Sequence, residues 1–270
     1  MVQQAYICVT CGTEFPPSDS APAACPICED DRQYVNPDGQ QWTTLPALQS
    51  AHTNCFTQLS ADLTAIITEP AFAISHRAYL IHTEQGNVLW DCVSYLDDAT
   101  VEHVRRLGGI QAIAISHPHF YTTMGEWSRA FDDAPIYLHR ANEPWVMNPS
   151  SAIHYFDGDT VELVPGVTVA RCGGHFPGSS VLCWKDGAQS AGALFTGDTI
   201  RICADARWLT FMYSYPNEIP LDEQAVLRIV STVEPFAFDS IYDAFKARPT
   251  TGAKAAVVRS AERYIAHLRG

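Results

Sequence analysis

No apolar run in this sequence approaches the ~20 residues that a membrane-spanning helix needs, and no charged-then-apolar leader opens it. Both absences point to a soluble, cytoplasmic protein. Basic residues are scarce as well: 17 Lys and Arg stand against 30 Asp and Glu, for a net charge of -13. A nucleic-acid or anionic-membrane surface needs basic side chains to neutralise phosphate, so neither partner is expected and a small-molecule substrate is. Nothing in the pattern sets an oligomeric state. A disulfide framework is also missing, because nine cysteines are an odd number and two of the pairs are CxxC knuckles, which point to reduced thiols and metal.

What is present begins with those knuckles. Cys8-Val-Thr-Cys11 and Cys25-Pro-Ile-Cys28 are separated by thirteen residues. Each CxxC loop brings two thiolates onto one ion, and two loops complete a tetrahedral site. So short and polar a segment cannot fold on apolar burial, so metal binding supplies its stability. It resembles a zinc ribbon or rubredoxin-like knuckle, which implies structural zinc at Cys8, Cys11, Cys25 and Cys28. Iron as an electron carrier is the alternative. The other five cysteines, Cys55, Cys92, Cys172, Cys183 and Cys203, lie singly in apolar surroundings and read as small buried hydrophobes.

The ribbon is placed at 1–40 and a polar linker at 41–55, marked by the Asn36-Pro37-Asp38-Gly39 turn and packed down through Trp42 and Leu45. A main domain at 56–270 opens with alternating, β-branched stretches that read as an antiparallel meander. His76 and His82 fall on one face of it and read as solvated or core-edge residues. Helical spacing follows over Leu96 to Leu107, then the apolar strand Ile110 to Ile115, a short helix at Gly125 to Phe131 and a strand at Pro135 to His139. His139, beside Arg140, reads as exposed. Strands over Val161 to Val164, Val167 to Arg171, Val181 to Trp184 and Ala193 to Thr196 come next. Helical spacing returns over Leu221 to Val233 and Ala253 to Leu268, around a strand at Phe238 to Phe245. Such wiring is α/β, with two sheet-and-helix halves forming an αββα sandwich.

Three stations along this domain carry chemistry. The strand Ile110 to Ile115 runs out into Ser116-His117-Pro118-His119, where Pro118 stiffens the loop and holds two imidazoles close. Two histidines at a strand end are by themselves ordinary loop residues. Further on, however, Gly173-Gly174-His175 and Gly197-Asp198 each put a potential ligand in a Gly-flanked turn beside a strand.

In this order the stations resemble the metallo-β-lactamase fold superfamily, whose pattern is HxHxDH, then GH in a turn, then GD after a strand. The resemblance covers 56–270. It implies that His117, His119 and His175 are the first-site histidines, that Asp198 is the carboxylate which bridges two metals in the family, and that Asp91 bonds loop amides behind the HxH loop. The sequence departs from the pattern where the family has Asp and His to complete HxHxDH, since Tyr121 and Thr122 stand there, and Phe245 falls at or near the last histidine. A single ion, zinc or iron, is therefore expected at the first site, with the second site lost.

On this reading the chain is a one-metal hydrolase of a small ester, thioester, lactone or amide. Asp198 is either a fourth ligand or a base, and Tyr121 is an acid or oxyanion donor. Tyr213 and Tyr215, in an aromatic run after Asp198, are the candidate substrate contacts. A mononuclear iron oxygenase of the sulfur dioxygenase kind, or a metal-stabilised binding protein without turnover, are the alternatives.

Overall fold

The computed structural model describes residues 3–246 and 250–270, and the chain divides into two compact units. The first, Met1–Leu138 with Glu143–Tyr155, is built on a seven-stranded sheet whose strands lie in sequence order. Thr53–Ser60, Leu63–Glu69, Ala78–Ile81 and Val88–Trp90 pair antiparallel, as the alternating pattern of the meander dictates. Ala112–Ala114 then pairs parallel to Val88–Trp90, and Ile136–His139 parallel to Ala112–Ala114. Parallel neighbours need a crossover, and the helices Asp98–Arg106 and Met124–Ala130 provide it. The first of these starts where it does because Asp97 Oδ1 accepts the Thr100 N–H at 2.8 Å.

The second unit, His139–Asn142 with Phe156–Gly270, holds a six-stranded sheet. Thr160–Val164, Val167–Arg171, Ser180–Trp184 and Ala193–Phe195 run antiparallel, and Ser240–Tyr242 pairs parallel to the last of them. The helix Glu223–Val233, capped by Asp222 on the Ala225 N–H at 2.8 Å, makes that crossover. Its buried face joins Ala256, Val257, Ala261 and Ile265 of the helix Ala253–Arg269 in one apolar cluster with Leu194 and Ile241 of the sheet. Among the described residues, no helix is long and apolar enough to cross a membrane.

Several expectations need correction. The segment expected as a polar linker carries the strand Trp42–Thr43, paired with Ile7–Cys8, and the helix Leu45–Gln49, capped by Thr44. A strand of two residues and a helix of five are too short to leave a period in the sequence. Trp42 packs edge-on to Phe15 beside the cysteines, and Leu45 packs with Ile7, Leu48 and Tyr95. His76 is not solvated: it is buried, stacked on Phe120 at 3.9 Å, with Nε2 on the Cys92 carbonyl at 2.7 Å. His139 is buried too, its Nδ1 accepting the Ala141 N–H and its Nε2 on the Gly158 carbonyl, each at 3.1 Å. Both rings are absorbed by backbone groups from distant parts of the chain, which sequence spacing does not reveal. Cys92, Cys172 and Cys183 are buried as expected, whereas Cys55 and Cys203 are half-buried.

The most unusual charge in the first unit is Glu14, only 2 % exposed, whose carboxylate accepts from Asn148 Nδ2 at 2.8 Å. Burial, and next the charge of Glu126, push its pKa from 4.5 up to about 7. A carboxyl raised in the folded state carries no penalty below its unfolded value. As pH climbs from the unfolded value toward the folded one, the unfolded chain ionises while burial keeps the folded carboxyl protonated, so stability falls across that window and levels off above about 7. Glu14→Gln is therefore expected to gain on the native chain by ~2–3 kcal/mol between pH 5 and pH 8, read from denaturant melts of both proteins at each pH.

Candidate metal centres

The cysteine knuckles meet as their spacing requires. Cys8, Cys11, Cys25 and Cys28 are all buried, and their Sγ atoms lie within 4.8 Å of one another, with Cys8 to Cys28 and Cys11 to Cys25 at 3.6 Å. These separations are far beyond the ~2.05 Å of a disulfide. They match the ~3.8 Å edge of a tetrahedron whose arms are ~2.3 Å zinc–sulfur bonds. Burial, followed by the neighbouring thiols, pushes Cys11 well above its ordinary value. Four crowded thiolates in an apolar pocket repel one another, and a bound cation is what permits all of them to ionise. Gly12 turns the first knuckle at φ +79°, where a Cβ would strike Ser94 Oγ at 2.1 Å, so only glycine serves. Gln40 Nε2 donates to Cys8 Sγ at 3.2 Å.

The histidine pair is delivered by Ala112–Ala114, which is buried on both faces. Asp91, at φ +60°, accepts from both the Ser116 N–H and the Ser116 hydroxyl at 2.8 Å, the loop-amide role expected of it. Because that hydroxyl donates its hydrogen bond to Asp91, its oxygen accepts from His117 Nδ1, also at 2.8 Å. The His117 lone pair is thereby fixed on Nε2. Burial, and next the charge of Arg32, hold the His117 pKa down at about 3, so the imidazole is neutral and competent as a ligand. His119 follows in the short 3-10 turn Pro118–Phe120, its ring 5.1 Å from that of His117.

In the second unit, His175 emerges from the strand Val167–Arg171 through Gly173 and Gly174, at φ +70° and +82°. A Cβ on Gly174 would sit 2.9 Å from Leu221 Cδ1, so the turn needs glycine for space as well as for conformation. The Met212 carbonyl lies 3.3 Å from His175 Nδ1 and can only accept, which again places the lone pair on Nε2. Asp198 follows the strand Ala193–Phe195, and its Oδ2 faces His175 Nε2 at 4.0 Å. Two electron-pair donors face each other there in a buried setting. Tyr215 donates to the Asp198 backbone carbonyl at 3.2 Å, and burial, then the Asp198 charge, keep it a neutral phenol.

Together His117, His119, His175 and Asp198 offer one ligand atom each within 4.8 Å of one another, and all four are buried. Neutral imidazoles with a carboxylate suit a divalent cation whose bonds are ~2.0–2.2 Å long. Tyr121, Thr122 and Phe245 stand where the resemblance put the family's further ligands. Thr122, at φ +40°, turns its hydroxyl to the Cys92 carbonyl at 2.9 Å. Tyr121 is buried at the end of the 3-10 turn. Phe245 lies under the Arg201 guanidinium at 4.2 Å, which also covers the Tyr215 ring at 4.7 Å. Tyr213 is half-buried and packs against the apolar cluster of its unit. Ser116, Arg32 and Arg201 were not singled out by sequence; only the place of Arg201 three residues after Asp198 could have flagged any of them.

Residues 73–232 match the profile of the Metallo-beta-lactamase superfamily. The chain is 47% identical over 265 residues to YmaE of Bacillus subtilis (strain 168), an uncharacterized protein, covering 97% of this chain and 96% of that one. Among solved structures it resembles VMB-1, with a TM-score of 0.60 at 11% identity over 80% of this chain and 98% of that one. It also resembles the metallo-beta-lactamase FIM-1 from Pseudomonas aeruginosa in the mono-zinc form, with 0.56 at 15% identity over 78% and 95%. TTHA1623 in a di-iron-bound form gives 0.53 at 20% identity over 71% and 96%. At these identities the likeness is one of fold, and the fold is the metallo-beta-lactamase sandwich. With more than half its length matched by the family profile and a relative of nearly equal length at 47% identity, this chain belongs to the metallo-beta-lactamase superfamily.

Proposed function

We propose that the chain is a metal-dependent hydrolase that works with one ion at His117, His119, His175 and Asp198 and cleaves a small ester, thioester, lactone or amide. What supports this reading is the tight group of four buried donors, with Tyr121, Thr122 and Phe245 standing where the family pattern has its further ligands. There Thr122 bonds backbone, and Phe245 stacks under a guanidinium instead of offering a lone pair. An ion held by the four residues supplies Lewis acidity and lowers the pKa of a bound water. The remaining roles belong to side chains. Asp198, held through its backbone by Tyr215, serves as ligand or as proton acceptor. Tyr121 donates a proton or a hydrogen bond to developing negative charge. Tyr215, whose ring lies 6.1 Å from that of His175, is the better placed of the two candidate tyrosines to touch substrate; Tyr213 is engaged by the apolar cluster. Zinc is the expected ion in the cysteine group. For the histidine group the fold does not choose, since FIM-1 is a mono-zinc form and TTHA1623 a di-iron form. Iron with oxygen chemistry on thiols or persulfides is the second reading, favoured by the three-histidine, one-carboxylate set.

Protein purified without added metal is expected to carry two ions per chain by elemental analysis, and Cys25→Ser to lose one of them. A content near three, with an ion beside Tyr121, would overturn the single-ion reading.

Turnover separates the roles. His119→Ala should abolish both the second ion and activity, whereas Tyr121→Phe should keep two ions and lower kcat by ~10² if the phenol is acid or oxyanion donor. The screen pairs esters, thioesters, lactones and amides under zinc with thiols and persulfides under iron and oxygen. Activity only in the second arm would replace the hydrolase reading, and activity in neither, with both ions bound, would leave a binding protein.

A further inference from the structure

The second unit contains a cavity of about 360 Å³ that shares no residue with the histidine group. Trp208, Leu209, Pro220 and Tyr264 give it an apolar lining, while Arg263 and His267 reach its rim from the last helix, Ala253–Arg269. Its volume falls within the ~300–1,000 Å³ of small-molecule pockets, which pair apolar walls with a few polar groups. The geometry points to a binding site for a small carboxylate with an apolar body.

Charge complementarity carries the assignment. The chain as a whole is strongly acidic at -13, yet this place is locally cationic. The Arg263 guanidinium lies 4.2 Å over the Trp208 ring and that of Arg259 at 6.0 Å, so the planar fork is held in place by the indole. The carboxylate whose charge Arg263 feels, Asp205, is committed to Arg207, accepting from its Nε at 3.0 Å and Nη2 at 2.7 Å. Among the described residues, no carboxylate forms an ion pair with Arg263 or His267. Around Cys203, which also lines the cavity, the charges felt are Lys246, Arg263 and Arg201 against Asp205 alone. A single guanidinium matches a planar carboxylate with two parallel hydrogen bonds. Inorganic anions gain nothing from the indole, leucine and proline walls, and neutral apolar molecules gain nothing from the guanidinium. The cavity is also wired to the rest of its unit, because Thr210 in its wall pairs across the hairpin with Arg201, whose guanidinium covers Tyr215 and Phe245.

The test titrates 2-naphthoate, and 2-naphthamide as its neutral isostere, onto the metal-loaded full chain by calorimetry and thermal shift. One naphthoate per chain should bind at least tenfold more tightly than the amide. Arg263→Gln, at an exposed helix position, should erase that difference, and Leu268→Glu should weaken naphthoate by a similar factor. His119→Ala, lacking the ion at the histidine group, should bind naphthoate as the native chain does. The proposal is overturned by equal affinities for acid and amide, by the absence of saturable binding in the millimolar range, or by affinity that survives Arg263→Gln and disappears in His119→Ala. The last outcome would mean that the carboxylate had bound the histidine-group ion instead.

Discussion

Crowded, buried electron-pair donors are the constraint on which this structure turns. Four sulfurs spaced at 3.6 Å in two pairs, and an imidazole nitrogen facing a carboxylate oxygen at 4.0 Å, are both arrangements that repel unless a cation stands among them. Much of the surrounding architecture keeps those donors pointed at each other. Asp91 orders Ser116, Ser116 orders His117, and the Met212 carbonyl orders His175. None of these partners would touch the ion, yet each decides which nitrogen carries the lone pair. The glycines act in the same way one step further out: Gly12 lets the first knuckle close against Ser94, and Gly174 lets the His175 turn pass Leu221.

Within the first unit, the cysteine segment bears directly on the histidine loop. Ser94 Oγ donates to the Gly12 carbonyl at 3.1 Å, and the Glu14 N–H donates to the Thr122 carbonyl at the same distance. Thr123 Oγ1 in turn donates to the Ser94 carbonyl at 3.1 Å, so one short network joins a residue next to Cys11 with residues just after His119. Arg32, four residues past Cys28, lies over Trp145 at 5.1 Å and contributes the second of the two effects that depress His117. The cysteine segment thus helps to place the loop that carries His117 and His119.

Local signals were legible in the sequence and long-range ones were not. The CxxC pairs, the HxH after an apolar strand, and the GGH and GD turns all encode their geometry within a few residues, and the four cysteines and the four donors are grouped as those motifs implied. The helix caps at Asp97 and Asp222 belong to the same class, since a cap bonds three residues ahead. His139 and His76 were misread because their partners are nineteen and sixteen residues away and are backbone carbonyls, which no side-chain pattern announces. The strand Trp42–Thr43 escaped notice because its partner is Ile7–Cys8, and pairing across such a distance leaves no trace in a two-residue stretch. Arg201 and Ser116 owe their importance to what folds around them.

The surroundings of Phe245 have their own physical logic, and it centres on Asp243. This buried carboxylate accepts the Ile202 N–H at 2.8 Å through Oδ2, and the Phe245 and Lys246 N–H groups at 2.9 and 2.8 Å through Oδ1. One side chain thereby binds the strand that carries Arg201 to the loop that carries Phe245. The guanidinium and the ring are brought face to face at 4.2 Å, with the Tyr215 ring also under the cation at 4.7 Å. Phe245 and Arg201 therefore form a matched pair, in which the ring face attracts the guanidinium that covers it and the guanidinium keeps the ring in place.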